Sequence, residues 1–155
     1  MDTNRVEHFT SLKKAVSSLF GEHTKIEGMS RIFGGDINEA FSLSLSDGNA
    51  IFMKKNRKEN VNFFLKEVTG LQAIQSTGAI GSPKILCTGT EDKDNSSFLL
   101  LEFVHGGSRA AGYWEVFAHE LSNMHRAETG AFVNGGRFGF LEDNALYIFS
   151  VANSF

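Results

Sequence analysis

The chain of 155 residues is sparing with the residues that usually restrain a fold covalently or locally: it has one cysteine, one proline, one tryptophan and two tyrosines. A lone thiol, Cys87, excludes an internal disulfide and any zinc cluster built on several cysteines. Its neighbours Ile85 and Leu86 point to a buried structural thiol rather than a nucleophile. Apolar runs such as Phe98-Leu99-Leu100-Leu101 are far too short to cross a bilayer. The first eleven residues are polar and hold no apolar signal segment, so a cytoplasmic location is expected. An excess of positive charge is also missing. The net charge is −3, which supplies no attraction to nucleic acid or to an anionic membrane, and neither is expected as a partner. Internal repeats and low-complexity segments are absent. What is abundant is phenylalanine, with fifteen, several of them in apolar strand-like runs that read as core. With 41% hydrophobic and 21% charged residues, a soluble globular domain with an ordinary core is expected.

Val6, Phe9, Leu12, Val16, Leu19 and Phe20 recur at helical spacing and predict an amphipathic first helix ending near Gly21. A strand from Thr24 to Phe33 leads into the Gly34-Gly35 turn. Ala40 to Leu45 alternates strictly, Ser46-Asp47-Gly48-Asn49 tolerates the positive φ of a hairpin turn, and Ala50 to Met53 returns as the partner strand. Val61, Phe64, Leu65, Val68, Leu71 and Ile74 mark a helix closed by Thr77-Gly78. A strand through Lys84 to Cys87 and a polar turn from Glu91 to Ser96 follow. Ser97 to Val104 is apolar enough to be central or covered on both faces. Beyond Gly106-Gly107, Trp114, Val116, Phe117, Leu121 and Met124 predict another long helix, fading near Glu128-Thr129-Gly130. This order predicts an α+β layer of five antiparallel strands with one crossing helix.

Three segments carry chemistry. Paired glycines in Gly34-Gly35-Asp36-Ile37-Asn38-Glu39-Ala40 let backbone N–H groups approach an anion closely. No Gly-Lys-Ser/Thr follows, which excludes a Walker loop, and a strand comes next where a dinucleotide fingerprint needs a helix. An ordinary hairpin remains the alternative. Lys54 lies about one strand length after the hairpin turn, where its ammonium would reach phosphates under the glycine turn. Lys55 beside it keeps open the reading of an exposed strand end. Glu67 either points inward to pair with Lys54 or is a surface glutamate beside Lys66. Glu102-Phe103-Val104 either offers extended backbone to an adenine edge or ends a strand before a turn. In this order the segments describe how kinase-like enzymes hold ATP. His119 and His125, six residues apart, fall on different helix faces, and no metal site is expected. No catalytic residue is assigned, because neither a His-Gly-Asp nor a His-Arg-Asp loop occurs, nor a later metal-binding Asp.

At these residues the chain resembles the fructosamine kinase family, whose activities phosphorylate ketosamines such as fructosamines and ribulosamines. The resemblance is carried by Gly34 to Ala40, by Phe52-Met53-Lys54-Lys55-Asn56 and by Glu67 to Ile74. Pro83 to Leu86, Phe98 to Phe103, Trp114 to Arg126, Phe138-Gly139-Phe140 and Asp143-Asn144 extend it. It implies a protein-kinase-like amino-terminal lobe over residues 1–104, a hinge and the first helix of a carboxy-terminal lobe over 105–144, and a tail, 145–155, that departs from the family pattern. It further implies MgATP as phosphoryl donor. Gly34, Gly35, Asp36, Ile37, Asn38 and Ala40 would lie over the phosphates and Lys54 on them. Glu67 would orient Lys54, and Glu102, Phe103 and Val104 would meet the adenine. The family's catalytic loop and metal-binding Asp have no counterpart here, so Mg2+ is expected only in a complete member, and this chain alone is expected to be truncated and inactive or nearly so. Two other functions stay open, a non-catalytic nucleotide- or partner-binding module and an aminoglycoside- or choline-type phosphotransferase. Self-association through the exposed face of the incomplete lobe is also expected.

Overall fold

The computed structural model describes residues 6–33 and 38–127. Gly34-Gly35-Asp36-Ile37, the Phe138-Gly139-Phe140 and Asp143-Asn144 blocks and the tail 145–155 lie outside the described residues. The chain divides into two units, Met1–Leu65 with Pro83–Val104, and Lys66–Ser82 with His105–Phe155.

The first unit is built on a six-stranded sheet in the order β1-β5-β6-β4-β3-β2. Its strands are β1 (His8–Phe9), β2 (Ile26–Ile32), β3 (Glu39–Leu45), β4 (Ala50–Arg57), β5 (Ile85–Glu91) and β6 (Ser96–Glu102). All neighbours are antiparallel except β1, which runs parallel to β5. The expected five strands are therefore one short, and the expected first helix is too long. Val6 to Phe9 fit a helical period, but Thr88 N–H donates to the Glu7 carbonyl at 3.0 Å and His8 Nδ1 lies 3.1 Å from Thr88 Oγ1. The open edge of β5 offers backbone partners, and that tertiary pairing overrides a weak local preference. Two residues are too few to show an alternating pattern.

The first helix, α1, spans Leu12–Phe20. Ser11 caps it in an extended conformation without a side-chain bond, and the Glu91 carboxylate at the end of β5 accepts from Leu12 N–H at 3.2 Å instead. A carboxylate at a helix amino terminus satisfies an orphan donor and opposes the positive end of the dipole. Gly21, at φ 112, closes the helix with its N–H on the Ser17 carbonyl. Ala15 and Val16 of α1 join Leu43, Leu45, Ile51, Met53, Cys87, Phe98 and Leu100 in one buried cluster on a single sheet face. β6 has six consecutive buried residues, Ser96 to Leu101, as expected for a central strand. The β3–β4 turn uses Asp47, whose carboxylate accepts from Asn49 N–H at 2.9 Å, and Gly48 at φ 85.

A 3-10 turn, Lys58–Asn60, leads into α2 (Val61–Thr77), and the unit boundary falls within that helix. In the second unit, α2 buries Val68 and Ala73. The last helix, α3 (Tyr113–Arg126), has no buried residue. Tyr113, Trp114, Val116 and Phe117 are exposed, Trp114 to 61%. The Arg109 guanidinium lies over the Trp114 ring, 4.7 Å from its centroid, and so shields part of that surface. Among the described residues no helix is long and apolar enough to cross a membrane.

Candidate functional site

β4 carries five polar or charged residues in succession, Lys54 to Lys58 counted into the following turn, and the fold separates their roles. Successive side chains of a strand leave opposite faces. Ile51 and Met53 belong to the core cluster beneath α1, so Lys54 emerges on the other face. Its cross-strand neighbours there are Ala40 on β3 and the fully buried Leu99 on β6. Lys54 is half-buried in the middle of the sheet, and the reading of an exposed strand end does not hold.

Its basic neighbours are instead taken up by ion pairs. The Lys55 ammonium meets Asp94 Oδ2 at 2.5 Å on the α1 side, Lys58 pairs with Asp92, and Arg57 lies 3.8 Å from Glu59. The Lys55 contact, with a second hydrogen bond from Ser96 Oγ, holds the Asp94 carboxyl below the usual carboxylate range.

Asn56 shares the Lys54 face, two residues on. Its Nδ2 donates to Asn38 Oδ1 at 2.6 Å, and its Oδ1 accepts from Asn60 Nδ2 at 2.9 Å and from Arg57 N–H at 2.7 Å. One carboxamide thus joins Asn38 just before β3, the lysine strand and the turn that leads into α2. Sequence patterning assigns Asn56 and Asn60 no role, because the three asparagines are 18 and 4 positions apart and meet only across the sheet. Period-2 alternation from Lys54 is the one signal that marks Asn56.

At the end of β6, Glu102 is anchored twice to Lys84. Its N–H donates to the Lys84 carbonyl at 2.8 Å, and its carboxylate accepts from Lys84 N–H at 3.1 Å. Phe103 is half-buried, and Val104 is 65% exposed. Glu67, half-buried, lies on the part of α2 that belongs to the second unit. Gly34, Gly35, Asp36 and Ile37 precede the described Asn38, so the glycine part of the turn lies outside the described residues. No cluster of three or more His, Cys, Asp or Glu able to hold a metal ion occurs among the described residues. A cation in mid-sheet and an oriented amide near it suit a phosphorylated ligand, since both present donors to anionic oxygens.

Known proteins similar to this chain are kinases by name. A probable ketoamine kinase of Synechocystis is 25% identical over 94% of this chain and 47% of its own length. The chloroplastic protein-ribulosamine 3-kinase of Oryza sativa subsp. japonica is 31% identical over 81% of this chain and 35% of its own. The chain therefore spans less than half the length of these relatives. A solved structure from Haemophilus somnus 129PT, named among the fructosamine-3-kinases, superposes with a TM-score of 0.68 at 22% identity. It covers 76% of this chain and 39% of that one and supports the fold. The model of the fructosamine kinase family matches residues 8–155, and the chain belongs to that family.

Proposed function

We propose that this chain is the nucleotide-binding part of a kinase that moves the γ-phosphoryl group of ATP to a sugar hydroxyl of a ketosamine. The observation that carries the reading is Lys54, half-buried in mid-sheet on the face opposite the α1 core, beside an asparagine tied to the end of the glycine turn. Phosphoryl transfer needs positioning and charge stabilisation more than covalent chemistry from the protein. In this reading Lys54 sets a point charge on the phosphates, and Gly34 to Ala40 supply backbone donors to them. Backbone at Glu102 to Val104 faces the adenine, and the Glu102–Lys84 bonds hold that strand end extended. Residues 1–104 form the nucleotide lobe, 105–144 begin a helical lobe, and 145–155 are a tail.

The sequence contains no His-Gly-Asp or His-Arg-Asp loop to orient an acceptor hydroxyl, so these 155 residues bind nucleotide with little or no turnover. Calorimetric titration with MgATP, run beside a kinase assay on a fructosamine, tests both halves. Affinity for MgATP that is lost in Lys54→Ala, without turnover, is the expected result. No affinity in the unaltered chain ends the nucleotide reading, and robust turnover ends the expectation of little turnover.

A further inference from the structure

Carboxamide groups present an acceptor on one side and donors on the other, and which way each faces must be deduced from its partners. In the Asn38–Asn56–Asn60 chain the deduction has a fixed starting point. Arg57 N–H can only donate, and it donates to Asn56 Oδ1 at 2.7 Å. Asn56 Nδ2 must then be the atom that faces Asn38, at 2.6 Å, and the Asn38 atom it meets must be the acceptor Oδ1. Asn60 must then present its Nδ2 to the same Asn56 Oδ1, at 2.9 Å. The Asn38 Nδ2 is left on the far branch of its carboxamide, with no acceptor among the described residues. Asn38 directly follows the glycine turn, so a backbone hydrogen bond on β4 dictates that its side chain offers donors rather than an acceptor.

We propose that Asn56 is a positioning residue that fixes the Asn38 carboxamide with its N–H2 outward, as a donor to a phosphate oxygen of the bound nucleoside triphosphate. The proposal rests on the nucleotide reading above and adds to it the device that sets the donor. Reversing the flip would present Oδ1 to the phosphate and replace attraction with repulsion.

The test is Asn56→Asp, which keeps the shape and removes the donor. Its new carboxylate still accepts from Arg57 N–H and Asn60, but Asn38 must turn its own N–H2 inward to meet it. Calorimetry on the whole chain compares MgATP with adenosine. The Kd for MgATP rises about tenfold, the scale of a lost hydrogen bond to a charged group, while any adenosine affinity shifts by less than about twofold. Part of that rise is the bare charge, which persists without Asn38. Asn56→Asp is therefore repeated in an Asn38→Ala background, where its effect on the Kd should be smaller by about fivefold. An equal effect in both backgrounds overturns the proposal. Should Asn56→Asp fail to fold, side-chain amide NMR of the unaltered chain decides. The Asn38 N–H2 resonance must move with saturating MgATP and not with adenosine, and a stationary resonance overturns the proposal. Failure of the underlying reading is distinct, for then the unaltered chain binds no MgATP and Lys54→Ala changes nothing.

Discussion

Lys84 and Glu102 hold each other through two hydrogen bonds, Glu102 N–H to the Lys84 carbonyl at 2.8 Å and Lys84 N–H to the Glu102 carboxylate at 3.1 Å. The pair closes the open end of β5 and β6, ahead of the register irregularity between Ile85 and Cys87. Glu102 is exposed, and its carboxylate splints the strand end.

Glu102→Ala should accordingly lower stability by no more than about 1 kcal/mol, the usual net worth of one hydrogen bond. MgATP affinity should change by less than about threefold if only backbone there meets the adenine. Urea unfolding and calorimetry on the same preparation check both values. Glu102→Gln, which keeps an acceptor oxygen, should restore the stability.

The two adjacent lysines of β4 should separate cleanly. Lys54→Ala is expected to weaken MgATP binding at least about tenfold, since a charge-assisted contact carries about 1.5–3 kcal/mol. Lys55→Ala removes only the exposed pair with Asp94 and should cost below about 1 kcal/mol of stability, with nucleotide affinity nearly unchanged. Equal losses of affinity in the two variants would contradict the assignment of opposite faces.

Gly89 of β5 lies between β1 and β6 with no room for a side chain. A Cβ there would stand 2.3 Å from the Phe98 ring and 2.5 Å from the Phe9 carbonyl oxygen. The carbonyl is backbone and cannot swing away, so Gly89→Ala must push β1 off the sheet or shift β5. A loss of about 1–3 kcal/mol is expected, read as a lower denaturant midpoint at an unchanged slope. An unaltered midpoint would contradict the close packing of Gly89 against Phe98 and Phe9.

Cys87 gives a pH prediction. Burial first, and the Glu7 carboxylate second, push its thiol from 9.0 up to about 12. Below pH 9 the thiol is protonated in both the folded and the unfolded chain and contributes no slope. Between pH 9 and 12 the unfolded chain gives up the proton while the folded chain keeps it, so stability falls as pH rises. Cys87→Ala should lose this component. The difference between the two unfolding midpoints, followed from pH 8 to 11, should shrink above pH 9, and a constant difference would contradict the raised value.

Much of the sheet is legible in local pattern because its strands solve local problems. β3 and β4 alternate because one face packs under α1 while Lys54 and Asn56 leave the other, and Asp47-Gly48 supplies the hairpin between them. β6 reads as central from its apolar run, and it lies between β5 and β4. The start of α1 is not legible in this way. Its first N–H is satisfied by Glu91, 79 positions away, and Val6 to Phe9 leave the helical period to pair with β5.

The site divides along the same line. The order of the paired glycines, Lys54, Glu67 and Glu102 is a property of the chain, and with the flanking blocks it carries the family resemblance. Which face each of two adjacent lysines takes, and which carboxamide holds Asn38, depend on residues that become neighbours only when strands pair. Local sequence sets the period of a strand and the chemistry of a turn. Only the packed sheet decides which face is core and which distant side chain completes a hydrogen bond, because those choices are made by burial and by partners that no short window contains.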